Sequence, residues 1–188
     1  MIKNYPLQFT LTLILFLIMN TSYFWEGEFG IFTIPIFIIL FILFFLLLLE
    51  LIRQIYISIR DKFTEKRRNY LLTFMFIILT LIFIKPRGII NFEKLEGENV
   101  YFAQAEGVAN CTSTLKLKKT NKFIYESICF GMEKTKGNYI IKNDSIYFKN
   151  FNKNKFQFNF GIINGNSIKL YRYKNDKNPF IIPIIKKY

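Results

Sequence analysis

CTSTLKLKKTNKFIYESIC, residues 111–129, is the stretch that decides how the second half of this chain folds. Its two arms alternate apolar and polar side chains with the period of two expected of a half-buried strand. Lys119-Thr120-Asn121 separates them as a short loop whose Asn tolerates the left-handed conformation. If Leu117 pairs with Phe123, then Leu115 faces Tyr125, Ser113 faces Ser127 and Cys111 faces Cys129. One register thus collects Leu115, Leu117, Phe123 and Tyr125 on an inward face and aligns the only two cysteines of the chain. Opposed residues at a non-hydrogen-bonded position lie close enough for a disulfide, and an oxidising compartment lets it form. The reading is a Cys111–Cys129 disulfide; two buried free thiols are the alternative.

The same period extends on both sides. Val100 to Glu106, Cys111 to Lys118, Lys122 to Phe130, Asn138 to Lys142, Ser145 to Lys149, Lys155 to Ile163, Ser167 to Tyr173 and Phe180 to Lys186 read as short strands. Asn143-Asp144 suits a two-residue turn that sets Ile141 opposite Ile146 and Tyr139 opposite Phe148, and Asn164-Gly165-Asn166 closes another hairpin, with Phe156, Phe158 and Phe160 on one face of its first strand. Eight short strands joined mostly by hairpins predict an up-and-down barrel, with a two-sheet sandwich as the competing arrangement. Leu115, Leu117, Phe123, Tyr125, Tyr139, Phe148, Phe156, Phe158 and Phe160 are the inward candidates. An eight-stranded barrel has room for side chains or one small ligand, and a set this bulky fills it, which leaves a mouth or outer face for any ligand or protein partner. The run from Lys149 to Lys155 reads as a solvated loop. Its lysines alternate with aromatics, but a nucleic-acid platform is not expected there.

Before residue 89 the pattern is different. No residue between Lys3 and Glu26 is charged; Phe29 to Leu49 is 21 uncharged residues broken only by Gly30, Thr33 and Pro35; Tyr70 to Ile84 adds 15 more. These predict three membrane spans, about 6–22, 29–52 and 70–86, in a membrane module of residues 1–88 followed by an all-β domain at 89–188. Arg53, Arg60, Lys62, Lys66, Arg67 and Arg68 lie between the second and third, whereas Asn20 to Glu28 carries two Glu and no Lys or Arg. By the positive-inside rule these six residues set the topology: basic loop and N-terminus cytoplasmic, barrel extracytoplasmic, in a bacterial inner membrane. Ile52, Ile55, Tyr56, Ile59 and Phe63 share one helical face, so the second helix is expected to continue along the membrane surface. Glu50, three residues before Arg53, reads as half of an interfacial ion pair.

Composition narrows the chemistry. The chain has 188 residues, a formal charge of +13 and no histidine. The last point removes the commonest general base, the His-activated nucleophiles and the usual nitrogen ligands of zinc. A glycine-rich phosphate loop, a Cys-x-x-Cys and paired carboxylates are also missing from the sequence, so neither an enzyme nor a bound cofactor or metal is expected. The charge could recruit anionic lipid headgroups, nucleic acid or an acidic partner, but the joint excess of Ile, Lys, Asn, Phe and Tyr is also what an AT-rich coding sequence yields.

Gly137-x-Tyr139-x-Ile141-x-x-Asp144-x-Ile146-x-Phe148, following the Cys111 to Cys129 hairpin, resembles the central hairpins of lipocalin-like small barrels of bacterial envelope proteins. The layout of helices then barrel also resembles the membrane effectors of cyclic-oligonucleotide anti-phage signalling. That resemblance implies a barrel sensing a cytoplasmic cyclic nucleotide and helices that permeabilise the membrane. The chain departs from it by a third apparent span and an outward barrel, and no nucleotide-contacting residue carries over. The expected function is a membrane-anchored, extracytoplasmic binding or interaction module of sensor, accessory or immunity type, with the effector as the alternative.

Overall fold

Alternation of period two becomes strand, and uncharged runs become helix, in a computed structural model that describes residues 5–153 and 155–188. Lys3, the N-terminal edge of the first uncharged run, and Asn154, inside the expected solvated loop, lie outside the described residues. The chain forms two units. One runs to Phe24 and resumes at Ile34–Asn91; the other joins Trp25–Thr33 to Phe92–Tyr188.

In the first unit α1 is Tyr5–Asn20, α2 the single turn Ser22–Trp25, α3 Thr33–Arg60 and α4 Lys66–Ile84. Among the described residues two helices, not the expected three, are long and apolar enough to cross a membrane: α3 with 28 residues and α4 with 19. The described part of α1 has 16 residues and reaches only ~24 Å at ~1.5 Å per residue, short of a ~30 Å hydrocarbon core. Its end is fixed chemically. The Asn20 side chain donates to the Phe16 carbonyl and accepts from the Ile89 N–H, and the Thr21 hydroxyl returns to the Leu17 carbonyl. The run from Tyr70 to Ile84, the shortest by sequence, gains Lys66–Asn69 as a first helical turn and so passes the length that α1 misses.

α3 buries Leu40, Leu47, Leu51, Gln54 and Ser58, a stripe at helical spacing, and leaves large apolar side chains exposed on its other faces. It continues unbroken to Arg60, with Ile52, Ile55, Tyr56 and Ile59 exposed. α1 lies along α4 in parallel. The Tyr5 hydroxyl meets Arg68 at 3.2 Å, Phe9 stacks on Phe74 at 4.2 Å, and Leu15 and Met75 are fully buried.

Among the described residues of the second unit, eight strands close an antiparallel barrel in chain order. They are β1 Asn99–Glu106, β2 Thr112–Lys118, β3 Lys122–Ile128, β4 Met132–Lys142, β5 Ser145–Lys149, β6 Phe160–Asn164, β7 Ser167–Tyr171 and β8 Phe180–Lys187, with a helical turn α5, Phe92–Leu95, before them. β2 and β3 pair Leu117 with Phe123, Leu115 with Tyr125 and Ser113 with Ser127; β4 and β5 pair Tyr139 with Phe148 and Ile141 with Ile146. Asn121 and Asn143 hold φ of 58° and 52° at the turns that need the left-handed region.

Two strand expectations need correction. β4 begins at Met132, six residues before Asn138, because Lys134 and Lys136 face outward in a regular ladder and Gly137 lies under the Phe123 ring. A Cβ on Gly137 would sit 2.6 Å from that ring, so the aromatic needs the missing side chain. The expected strand from Lys155 shrinks to Phe160–Asn164. Phe156 donates its N–H to the Asn152 carbonyl in a turn, and Asn159 bonds both β5 and β7, to Phe148 and Tyr171, before the regular ladder starts. The alternation breaks there. Phe156 and Phe158 enter the barrel from a loop, while Phe160 faces outward and stacks on Tyr171 at 4.9 Å.

Candidate functional site

The barrel's two ends differ. One is closed by the tight turns 119–121, 143–144 and 165–166; the other carries the loops 107–111, 129–131, 150–159 and 172–179. From the long-loop end Phe156 reaches the centre of the interior and is 1% exposed. Five aromatic rings surround it: Tyr125 and Phe148 at 5.0 Å, Phe123 at 5.1 Å, Phe151 at 5.2 Å and Phe158 at 5.4 Å. Leu115, Leu117, Ile146, Ile168, Leu170 and Ile182 complete the packing. Polar tips inside find partners: the Tyr139 hydroxyl donates to the Lys118 carbonyl at 2.8 Å and the Tyr125 hydroxyl to Ser113 at 3.3 Å. Burial raises both phenols above their ordinary range. An interior filled this way is a core and not a calyx.

Cys111 and Cys129 face each other at the long-loop end with Cα atoms 4.3 Å apart, at disulfide distance. Each lies one residue outside the ladder, so the link clamps the open ends of β2 and β3. Beside it is a cleft of about 260 Å³ lined by Gly30, Ile31, Ser127, Cys129, Phe130, Gly131 and Glu133.

Two of those residues come from Trp25–Thr33, a segment absent from the sequence reading of this region. It is bound into the barrel unit by backbone. Gly30 bridges Met132, and the Lys134 N–H donates to the Gly27 carbonyl at 3.2 Å. A Cβ on Gly27 would fall 2.1 Å from the Lys134 Cβ, and one on Gly131 2.6 Å from the Gly30 backbone, so these glycines permit contact that no other residue allows. Lys155 adds an ion pair to Glu28 at 2.6 Å. The available signal was three glycines, Gly27, Gly30 and Gly131, whose turns did not need them all.

The outer face of β2–β4 carries a buried charge ladder that sequence reasoning also missed. Glu126 accepts from Lys134 at 2.9 Å and from Lys116 at 3.1 Å; Lys116 also reaches Glu93 of α5 at 2.9 Å, and Lys118 reaches the same carboxylate at 3.5 Å. Burial alone would raise the Glu126 carboxyl, but Lys134 and Lys116 outweigh it and hold it below its ordinary value. Burial likewise works to lower Lys116, and Glu126 and Glu93 outweigh it and raise it. Lys136 goes the other way: its burial outweighs the bond to Glu96 and lowers it. The pairs appear only when β2, β3 and β4 are in register, since the partners are distant in sequence.

In the helical unit Glu50 and Arg53 form the expected ion pair at 2.7 Å. Gln54 joins at 2.8 Å, and Gln8 of α1 donates to the same carboxylate. Arg68 is buried between Asp61 at 2.8 Å and Glu65 at 2.5 Å, and Arg60 lies 3.7 Å from Asp61. Lys62, Lys66 and Arg67 are exposed at the turn. Among the described residues no three His, Cys, Asp or Glu side chains group as metal ligands. Comparison with family models, curated proteins and solved structures finds no match to this chain.

Proposed function

We propose that this chain is an integral membrane protein of the bacterial inner membrane that holds its barrel on the extracytoplasmic side as a non-enzymatic interaction module, of sensor, accessory or immunity type. The observation that carries the reading is the filled interior around Phe156, which leaves outer surfaces and the long-loop mouth to do the binding. Orientation has its own support. Trp25–Thr33 belongs to the barrel unit and leads directly into α3, and the chain leaving α4 runs through α5 to β1, so the chain joins the barrel unit to the helices at the start of α3 and at the end of α4. The six basic residues, Arg53 to Arg68, cluster around the α3–α4 connection, away from both of those junctions along the chain, with Tyr5 beside Arg68, which suits a cytoplasmic turn and N-terminus. A disulfide between Cys111 and Cys129 suits the outer compartment.

Labelling tests the topology. In a background lacking Cys111 and Cys129, a cysteine at Lys149 should react with an impermeant reagent on intact cells and one at Lys62 should not; the reverse would place the barrel inside. The function is tested by overexpression, which should leave the membrane potential unchanged. Depolarisation that requires a cyclic nucleotide would replace the interaction module with a pore-forming effector.

A further inference from the structure

Resting on the membrane reading above, we infer that the β3–β4 turn is a lipid-docking element: Phe130, together with Phe29, Ile31 and Phe32, forms an apolar ledge seated among the headgroups on the barrel's side of the bilayer. The ledge is assembled within the barrel unit by the two glycine contacts. Because the Gly30 and Gly131 backbones touch, Phe130 is held beside Ile31. Phe130 is 74% exposed, Phe32 68%, Ile31 61% and Phe29 48%. Phe130 and Ile31 line one cleft, Phe29 and Phe32 stand within two residues of Ile31 in the chain, and large apolar side chains left exposed together call for an occupant.

Chain continuity identifies it. Thr33 is the first residue of α3, so Ile31 is two residues and Phe29 four residues from the start of that span. Four residues of extended chain cover at most ~14 Å, comparable to the interfacial layer outside the hydrocarbon core. Whatever covers Ile31 therefore lies at headgroup level, and Phe130 is fixed to Ile31. Trp25, the only tryptophan of the chain, lies 6.4 Å from Phe29, and aromatic rings are enriched at this depth. A lipid surface fits these residues without requiring a second protein.

The test uses the full-length chain in phosphatidylcholine/phosphatidylglycerol vesicles whose acyl chains are brominated either near the headgroup or near the bilayer centre. In the unmodified chain Trp25 should be quenched by the shallow bromines. In a Trp25→Phe background, single tryptophans are then placed by Phe130→Trp, Phe41→Trp and Asp144→Trp, the last at a tight-turn tip. Phe130→Trp should lose about half its intensity or more to shallow bromines, as interfacial insertion requires, and Asp144→Trp should lose none. Phe41→Trp, in the middle of α3, should respond to the deep bromines. If Phe41→Trp is quenched and Phe130→Trp behaves like Asp144→Trp, the docking is wrong and the span stands; if Phe41→Trp is not quenched, the membrane reading itself fails. Phe130→Trp shielded from aqueous acrylamide yet unquenched by bromolipid would show a protein on the ledge and overturn the lipid assignment.

Discussion

The helical unit and the barrel unit use large apolar side chains in opposite senses. In α3 the helix satisfies its own backbone, and side chains such as Phe41, Ile39 and Phe45 point away from the protein over most of its circumference. In the barrel the backbone is satisfied between strands, and Phe123, Phe148 and Phe156 point inward until nothing more fits. The difference teaches where each unit's specificity resides. A helix that presents hydrocarbon outward is specified by its solvent and by a few polar contacts; a barrel that buries it is specified by the shape of each residue.

The sharpest way to break that contrast is Phe156→Ala. It empties the centre of the barrel and should cost about 3–5 kcal/mol, read as a large drop in the thermal midpoint of the barrel's near-ultraviolet signal. Midpoints within a degree of wild type would mean that the loop 150–159 is a lid over a site and not part of the core. Glu126→Ala comes next. Removing the shared acceptor from Lys116 and Lys134 should cost about 3 kcal/mol. The native ladder also carries a pH signature. Glu126 is held below its ordinary 4.5, so its contribution is present above that value and fades as pH falls through the lower folded one. Lys116 is held above 10.5, so its contribution is present below that value and fades as pH rises through the higher folded one. Denaturant midpoints measured at intervals across this range should be flat between the two limits for wild type, and Glu126→Ala should lose the acid limb.

Cys129→Ala should cost somewhat less in practice, up to ~3 kcal/mol in the chain-entropy model for a loop of this length. Mass analysis of protein isolated without reductant should show no alkylated thiol in the wild type; two modified cysteines would remove the clamp from the account. The smallest effect belongs to the helical unit. Gln8→Leu removes one donor from Glu50, whose carboxylate keeps Arg53 and Gln54, and should change stability by only ~0.6 kcal/mol, as polar contacts between membrane helices do. A loss comparable to that of Phe156→Ala would show that α1 is specified as tightly as the barrel.

Much of the barrel was legible because alternation and turn chemistry are local. The register from Leu117–Phe123 through Ser113–Ser127 follows from a single loop, and so does the approach of Cys111 to Cys129. What escaped was non-local or broke the period. Spacing places Phe160 inward with Phe156 and Phe158, and nothing in the residues marks Asn159 as the point where the alternation slips. MEKTKG, residues 132–137, lies outside the expected strands, since Lys134 and Lys136 find their partners Glu126 and Glu96 on other segments. Apolar runs revealed the helices, but run length misjudged them: α1 ends at Asn20, while α4 recruits Lys66–Asn69 from the basic loop. The candidate site was the least visible, because the Gly30 to Met132 bridge joins residues that no short pattern connects.

That bridge also imposes an order of events on assembly. Trp25–Thr33 leaves the ribosome about a hundred residues before the strand it must meet, and contacts of such long sequence separation form late because their loop must first close. Both α3 and α4 are synthesised entirely within that interval. We expect the segment to be captured only once β3 and β4 have paired, late in the folding of the barrel unit. A slow phase in refolding that Gly27→Val prolongs and that changes in β7 or β8 leave alone would be its kinetic trace.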